Sequence, residues 1–377
     1  MGGMQEVVRQ LSERLAAIGH DVTVATRKHP DRISTEVNGV KIVDFEISGN
    51  LVTGIEGDRA GYENFLLSSR FDVVTFFAAQ QWATDVALPV LDRIHGKKVS
   101  VPTGYSGLYW PGYAGYFEKM KTWIHGYDMN VYLSDDYRDI NFARANGVTR
   151  LVLIPNGAGE DEFLSDEYPD VRQMFGLPPD CFLVLHVGSY TGWKGHHDAM
   201  EIFLRSGLKN AVLLMIGNNT GQFAISKKQR PLLWILKRLS SLAGSKRIIM
   251  TSVSREVTVA AYKQADLFLF PSNIECSPIV LFECAAAGLP FLATDVGNSP
   301  EIAGWTEGGV ILPTTKDRNG FSHANLKGSV EALNELYRDT TKRKGLSERS
   351  FRRWRELYSW EKITLRYEKL YKDLLTG

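Results

Sequence analysis

Cysteine is scarce: Cys181, Cys276 and Cys284 are the only three in 377 residues. Their spacing fits neither a disulfide framework nor a paired zinc site. Small buried packing residues are the simplest account of them. No apolar run approaches the roughly 20 residues that cross a bilayer, and the N-terminus lacks a signal-peptide pattern. These absences point to a reducing cytoplasm and leave contact with a membrane surface open. Charge of one sign is missing too. Forty-four basic residues against 43 acidic ones give a net charge of +1, without the cationic excess that a phosphate backbone demands, so no nucleic-acid partner is expected. There is no D-x-D, no His/Asp/Glu cluster at metal-ligand spacing and no G-x-G-x-x-G after a strand. Neither a bound metal nor a nicotinamide cofactor is therefore expected.

What is present is an alternation of apolar runs with helix-like segments. The length exceeds what one core usually serves, so two domains are expected. The first half holds a helix near 4–18 and strand-like runs at 22–26, 40–45, 72–77, 99–101, 129–133 and 151–154. The second half repeats the pattern at 182–187, 212–216, 247–250, 267–270, 291–294 and 310–312. Short continuous apolar runs are the mark of parallel strands buried on both faces. The fold class is α/β, two Rossmann-like doubly wound domains facing a cleft. An acidic stretch at 160–170 reads as the linker, which sets the domains at 1–165 and 166–355, with an amphipathic helix in 356–377.

The segment E-C-S-P-I-V-L-F-E puts two carboxylates, Glu275 and Glu283, astride a helix start. Ser277 is the expected cap and Pro278 the first helical residue, with Gly288 and Pro290 marking the stop. The free N–H groups of Ile279 and Val280 then suit a phosphate. A phosphate seat between two hydroxyl acceptors describes a nucleotide-sugar site.

Here the chain resembles the family 4 retaining glycosyltransferases of GT-B architecture. The resemblance rests on Pro271 to Glu301, which follows the family's E-x7-E segment and the Gly-x-x-Pro-Glu turn after it. Four more matches fall in order: G-G-M-Q-E at Gly2 to Glu6, G-H-D-V-T-V-A-T at Gly19 to Thr26, I-P-N-G at Ile154 to Gly157 and W-K-G at Trp193 to Gly195. The resemblance implies a hexosyltransferase that takes a nucleoside-diphosphate sugar, such as a UDP- or GDP-sugar, as donor and a glycan or glycolipid as acceptor, without a metal. It assigns Lys194 and Gly188 to the donor phosphates, Glu283 to the ribose and Glu275 to the donor sugar, with Lys194 and Glu275 as the catalytic pair. It also implies that the last helix returns to the N-terminal domain.

Four departures and additions matter. Ser189 stands where most family members have Arg, which removes a charge from leaving-group stabilisation; His196, His197 or a basic residue of the other domain could compensate. On the acceptor side, Gly2, Gly3, Thr103, Gly104 and Tyr105 are the matching positions, and Thr103 and Gly104 stand where the family often has a His. An aromatic loop follows, with Tyr105, Tyr109, Trp110, Tyr113, Tyr116 and Phe117. Between 227 and 247 lie seven Lys or Arg and no acid, interleaved with Leu and Trp234, a pattern suited to an anionic membrane. Finally, the family's first strand has no counterpart before Gly2, so a gap is expected in the N-terminal sheet between strands 22–26 and 72–77. Ser189, the absent His and this gap together keep open an alternative, a non-catalytic or impaired GT-B sugar-nucleotide-binding subunit.

Overall fold

A computed structural model describes residues 2–218 and 246–377. The chain forms two compact units, one made of residues up to Asn156 together with Trp360–Gly377, the other of Gly157–Ser359.

In the N-terminal unit, helix α1 (Gly3–Ala17) is followed by β1 (Val22–Arg27), β2 (Glu36–Val37) and β3 (Val40–Phe45), then a hairpin of β4 (Ile47–Asn50) and β5 (Gly54–Gly57). Four more strands come next: β6 (Val73–Phe77), β7 (Lys97–Val101), β8 (Met129–Tyr132) and β9 (Leu151–Leu153). Helix α2 (Arg138–Ala145) lies between the last two. The strands do not make one sheet. They form a three-stranded sheet in the order β1-β3-β2 and a separate four-stranded sheet in the order β6-β7-β8-β9. Among the described residues, β1 has a strand neighbour only on the β3 side and β6 only on the β7 side. The interruption thus falls where the sequence puts it. Its physical signature is exposure: Val22 to Thr26 of β1 are all half-buried, and so are Val73, Val74 and Thr75 of β6.

The closing helix, Trp360–Thr376, buries Trp360, Ile363, Tyr367 and Leu370, a spacing that lays one face along the unit. Arg14 pairs with Glu361 at 2.7 Å, and the hydroxyls of Thr75 and Tyr371 meet at 2.8 Å.

The C-terminal unit holds a single six-stranded parallel sheet. Its strands are β10 (Phe182–Val187), β11 (Ala211–Ile216), β12 (Lys246–Thr251), β13 (Leu267–Phe270), β14 (Phe291–Thr294) and β15 (Gly309–Leu312), in the order β12-β11-β10-β13-β14-β15. A small hairpin of β16 (Thr314–Lys316) and β17 (Ser322–Ala324) follows. Every residue of β11, β13 and β14 is buried, as continuous apolar runs require. Strand order reverses between β10 and β13, and in such sheets ligands bind outside the carboxyl ends of the strands at that switch point.

The unit begins at Gly157, so the acidic stretch 160–170 is not a linker. Phe163 is buried in the core, Glu162 takes both forks of Arg255 at 2.8 Å, and Asp170 caps the turn that starts at Val171. Acidic composition marked a surface segment correctly; what it hid is that Glu162 has its partner 93 residues away.

Candidate functional site

Two loops leave the sheet at the switch point, one after β10 and one after β13. Gly188 extends the ladder through its N–H to the Ile216 carbonyl at 2.9 Å, and the chain then turns through Ser189 to Lys194. Gly195 has φ +69°, and a Cβ there would lie 1.8 Å from the Pro271 carbonyl. Only glycine lets the two loops seat on each other at this point. Helix α3 (His196–Arg205) starts directly after it. The Trp193 carbonyl accepts from Asn273 N at 2.9 Å and from Ser272 Oγ at 3.3 Å, which ties the loops together. Lys194 Nζ then reaches Glu275 Oε1 at 2.7 Å, and Ser272 Oγ donates to the same oxygen at 2.8 Å. The structure therefore brings the two expected catalytic residues into contact, with Ser272 orienting the carboxylate.

Helix α5 (Ile279–Ala287) begins one residue later than the sequence suggests. Pro278, with ψ 111°, is the cap residue, and Ile279 is the first helical one. Ser277 is not the cap because its hydroxyl is held elsewhere: it accepts from Asn298 Nδ2 at 3.2 Å, while Asn298 N donates to the Cys276 carbonyl at 2.8 Å. No side chain caps the helix. The N–H groups of Ile279 and Val280 precede the first helical bond, from Leu281 to the Pro278 carbonyl. That leaves the positive end of α5 beside Glu275, an arrangement suited to an anion.

Glu283 is 4% exposed. It meets Arg255 Nη1 at 2.5 Å, and Arg255, at the start of helix α4 (Arg255–Gln264), also grips Glu162. Burial works against the guanidinium charge, but the Glu283 and Glu162 carboxylates outweigh it and hold Arg255 firmly protonated. Sequence reasoning missed Arg255, which sits in no motif. A Ser-Arg pair at a helix start gives no hint of partners brought in by tertiary folding.

The two histidines proposed to replace the charge absent at Ser189 do not carry one. Burial lowers His196 to about 4, and its Nε2 lies 3.2 Å from the Gly188 carbonyl. His197 is also lowered by burial. Behind them, burial and then His196 bring His186 down to about 3, with Nδ1 2.8 Å from the Leu269 carbonyl. At neutral pH all three are neutral packing groups.

In the N-terminal unit, Gly2 caps α1 and Gly3 begins it. Thr103, Gly104 and Tyr105 follow β7 with φ of +56°, +108° and +45°, and Ala78 and Gln80 follow β6 with φ of +60° and +62°. Left-handed non-glycine residues cost about 1–3 kcal/mol each and gather at ligand-binding turns. A fixed network holds this pair of turns: Gln80 N donates to Tyr116 Oη at 3.1 Å, which donates to buried Asp85 at 2.8 Å. Buried Asp139 accepts from Ile140 N at 3.0 Å and from the backbone N–H of Gly104, which ties it to the turn after β7, and burial raises its carboxyl to about 6. The Tyr105 ring packs on Phe117 and Phe142 at 5.2 and 5.5 Å, so it is core. Tyr116 and Phe117 are buried as well, whereas Tyr109 and Trp110 are exposed.

The basic segment 227–247 lies outside the described residues except for its last two cations. Lys246 is buried, its Nζ donating to the Phe203, Leu204 and Ser206 carbonyls at 2.8, 3.1 and 2.7 Å, and Arg247 donates to the Gly176 carbonyl at 2.8 Å. Both serve the fold: Lys246 satisfies the carbonyl end of α3. Among the described residues no group of three His, Cys, Asp or Glu side chains could hold a metal ion.

Comparison with known proteins gives two matches that together cover most of the chain. The family model described as Glycosyltransferase Family 4 matches residues 1–161, and the model described as Glycosyl transferases group 1 matches residues 168–352. N-acetyl-alpha-D-glucosaminyl L-malate synthase of Bacillus anthracis is 21% identical over 398 aligned positions, covering 100% of this chain and 95% of the relative. The structure of sucrose-phosphate synthase from Thermosynechococcus elongatus superposes with a TM-score of 0.76 at 20% identity, covering 100% of this chain and 94% of that one. Anabaena Alr3699/HepE in complex with UDP and glucose superposes with a TM-score of 0.71 at 13% identity, covering 99% and 96%.

Proposed function

This chain belongs to the group 1, family 4 glycosyltransferases of GT-B fold, and on that premise we propose that it moves a sugar from a nucleoside-diphosphate sugar to a glycan or lipid-linked acceptor with retention at the anomeric carbon. The observation that carries the proposal is the Lys194–Glu275 pair beside the uncapped start of α5, with Glu283 buried behind it. The solved neighbour holding UDP and glucose supports a nucleotide-sugar donor.

In this proposal the diphosphate lies at the α5 start, taking the N–H groups of Ile279 and Val280 and the ammonium of Lys194. Glu283 accepts the ribose hydroxyls and Glu275 those of the donor sugar, at about 1.5–3 kcal/mol for each bond to a charged group. The bond between the anomeric carbon and the β-phosphate oxygen breaks while the acceptor oxygen bonds to the same face of that carbon. The acceptor's proton passes to the departing phosphate. The chain's own contribution is electrostatic: fixed donors aimed at the negative charge that grows on the leaving group. We expect no divalent ion to be needed, so turnover unchanged by a chelator is the outcome to look for.

A thermal-shift screen of nucleoside diphosphates and their sugars tests the donor. A ligand at 100 times its dissociation constant adds about 2.7 kcal/mol of stability. One responding nucleotide, followed by release of the sugar or its transfer in vitro, establishes the activity; no responder in the panel refutes it.

One observation favours the alternative, a binding subunit. Ser189 brings no charge, and neither His196 nor His197 supplies one. Nucleotide binding with neither hydrolysis nor transfer would select it. For location we propose the cytoplasm, with peripheral contact at the membrane through 227–247. No helix among the described residues is long and apolar enough to cross a membrane. Co-sedimentation with anionic vesicles that survives replacement of Lys227, Lys228, Lys237 and Arg238 by Gln would end that part of the proposal.

A further inference from the structure

One aromatic pair beside the donor residues is built more rigidly than a surface ornament needs to be. Trp193 directly precedes Lys194 and is 52% exposed. It stacks on Phe321, with ring centroids 4.9 Å apart and planes 14° from parallel. Phe321 ends the turn that joins β16 to β17, which is closed by Asp317 accepting from Asn319 N at 2.8 Å and Phe321 N at 3.0 Å.

Asn273 joins everything. Its N–H donates to the Trp193 carbonyl at 2.9 Å, its carbonyl accepts from Ser322 N at 2.9 Å, and its side-chain amide donates to the Ser322 carbonyl at 2.8 Å. Ser322 Oγ in turn donates to the Asp295 carbonyl at 2.6 Å. Ser272, next along the chain, bonds both the Trp193 carbonyl and Glu275. The indole is therefore fixed to the same loop that orients Glu275, and a backing ring holds its plane.

A flat apolar face set beside a carboxylate that accepts hydroxyls matches the chemistry of a pyranose. The ring of such a sugar shows C–H groups on one face and hydroxyls around its rim. We infer that Trp193, backed by Phe321, is a stacking platform for the hexose of the nucleotide sugar and discriminates among sugars by the hydroxyls they project onto that face. The inference rests on the donor site proposed above and names a specificity residue within it. Trp193 neighbours the Lys194–Glu275 pair rather than Glu283, so the sugar, not the base, is its partner.

The test is calorimetric titration of the wild type and the variants W193A, W193F and F321L with UDP, UDP-glucose, GDP and GDP-mannose. The comparison uses whichever nucleotide and nucleotide sugar the wild type binds. Trp193→Ala is expected to weaken the sugar nucleotide roughly fivefold to tenfold, as loss of one aromatic stack does, and to change the bare nucleotide less than twofold. Trp193→Phe should fall between, and Phe321→Leu should act in the same direction. Equal losses for nucleotide and sugar nucleotide would assign the ring to the base and overturn the inference. Unchanged affinities in all three variants would overturn it as well. If W193A fails to fold, W193F and F321L decide. Lys194→Ala separates the two levels of argument: if it still weakens the bare nucleotide while the aromatic variants do nothing, only the platform is lost, whereas no effect of Lys194→Ala removes the donor site itself.

Discussion

The two sheets of the C-terminal and N-terminal units began from similar strings of short apolar runs and ended differently. In the C-terminal unit β10 lies between β11 and β13, so the strands at the switch point are paired on both sides. Its central strands are buried throughout, and loops pinned by Gly195 and Asn273 leave from their ends. In the N-terminal unit the corresponding place is a break between β1 and β6, and the same kind of apolar strand is half-buried there. Burial is thus a property of the completed sheet rather than of the strand's own sequence. The fixed donors of the proposed site leave the sheet that is continuous.

The largest effect expected from this contrast is on rate. Lys194→Ala and Glu283→Ala should each lower turnover about 100- to 1,000-fold, the usual loss of one preorganised contact; Lys194→Ala should change the melting temperature little, whereas Glu283→Ala, which leaves Arg255 without a buried partner, should also lower it. Near-normal turnover in either variant would show that the continuous sheet does not host the donor site. Next comes packing. Leu214→Ala, in buried β11, should cost about 2–5 kcal/mol, and Val24→Ala, in half-buried β1, about 1 kcal/mol or less. Equal losses in denaturant titrations would erase the distinction between the sheets.

Much of this was legible beforehand. The strands from β10 to β15 were placed to within a residue because each carries a continuous apolar run, and in β11, β13 and β14 that run is buried throughout. The hairpins β4–β5 and β16–β17 were not, because I-S-G-N, G-I-E-G, T-T-K and S-H-A carry no alternation that marks a half-buried strand. In the site, Glu275, Glu283 and Lys194 could be read from motif spacing. The one-residue shift that makes Pro278 the cap could not, since it depends on Asn298 holding Ser277 from another loop. Nor could the neutrality of His196, which follows from burial against β10.

Acid should separate the units further. His186 and His196 titrate at about 3 and about 4, below the ordinary imidazole value of 6.5. The stability tied to their lowered values is present above pH 6.5 and is lost as pH falls through those values. Between pH 6.5 and 5 each should remove about 2 kcal/mol from the C-terminal unit. Asp139 has the opposite sign. Its carboxyl is raised to about 6 from 3.8, so the folded state holds the proton more tightly, and the N-terminal unit should gain about 1 kcal/mol as pH falls from 6 to 5. Hydrogen exchange at pH 7 and pH 5, read separately for β11 and β8, would show the crossing. A parallel decline in both units would refute the assignment. Smallest is the effect of pairing the two strand edges: an added apolar segment that pairs with β1 and β6 should raise the melting temperature by several degrees, since 1 kcal/mol is worth roughly 2–4 °C in domains of this size. A melting scan showing no rise would mean that these edges cost the fold little.

The bond between Arg14 and Glu361 spans 347 residues, and that between Thr75 and Tyr371 spans 296. A ribosome therefore releases the start of the N-terminal unit long before it makes the helix that closes it, and the whole C-terminal unit emerges in between. At about 5–20 residues per second that wait lasts tens of seconds. During it the edges of β1 and β6 and the uncovered face of α1 are available to other chains. The second unit to be synthesised can be the first to finish folding, and the yield of the native protein from a cell should depend on how quickly its last seventeen-residue helix arrives.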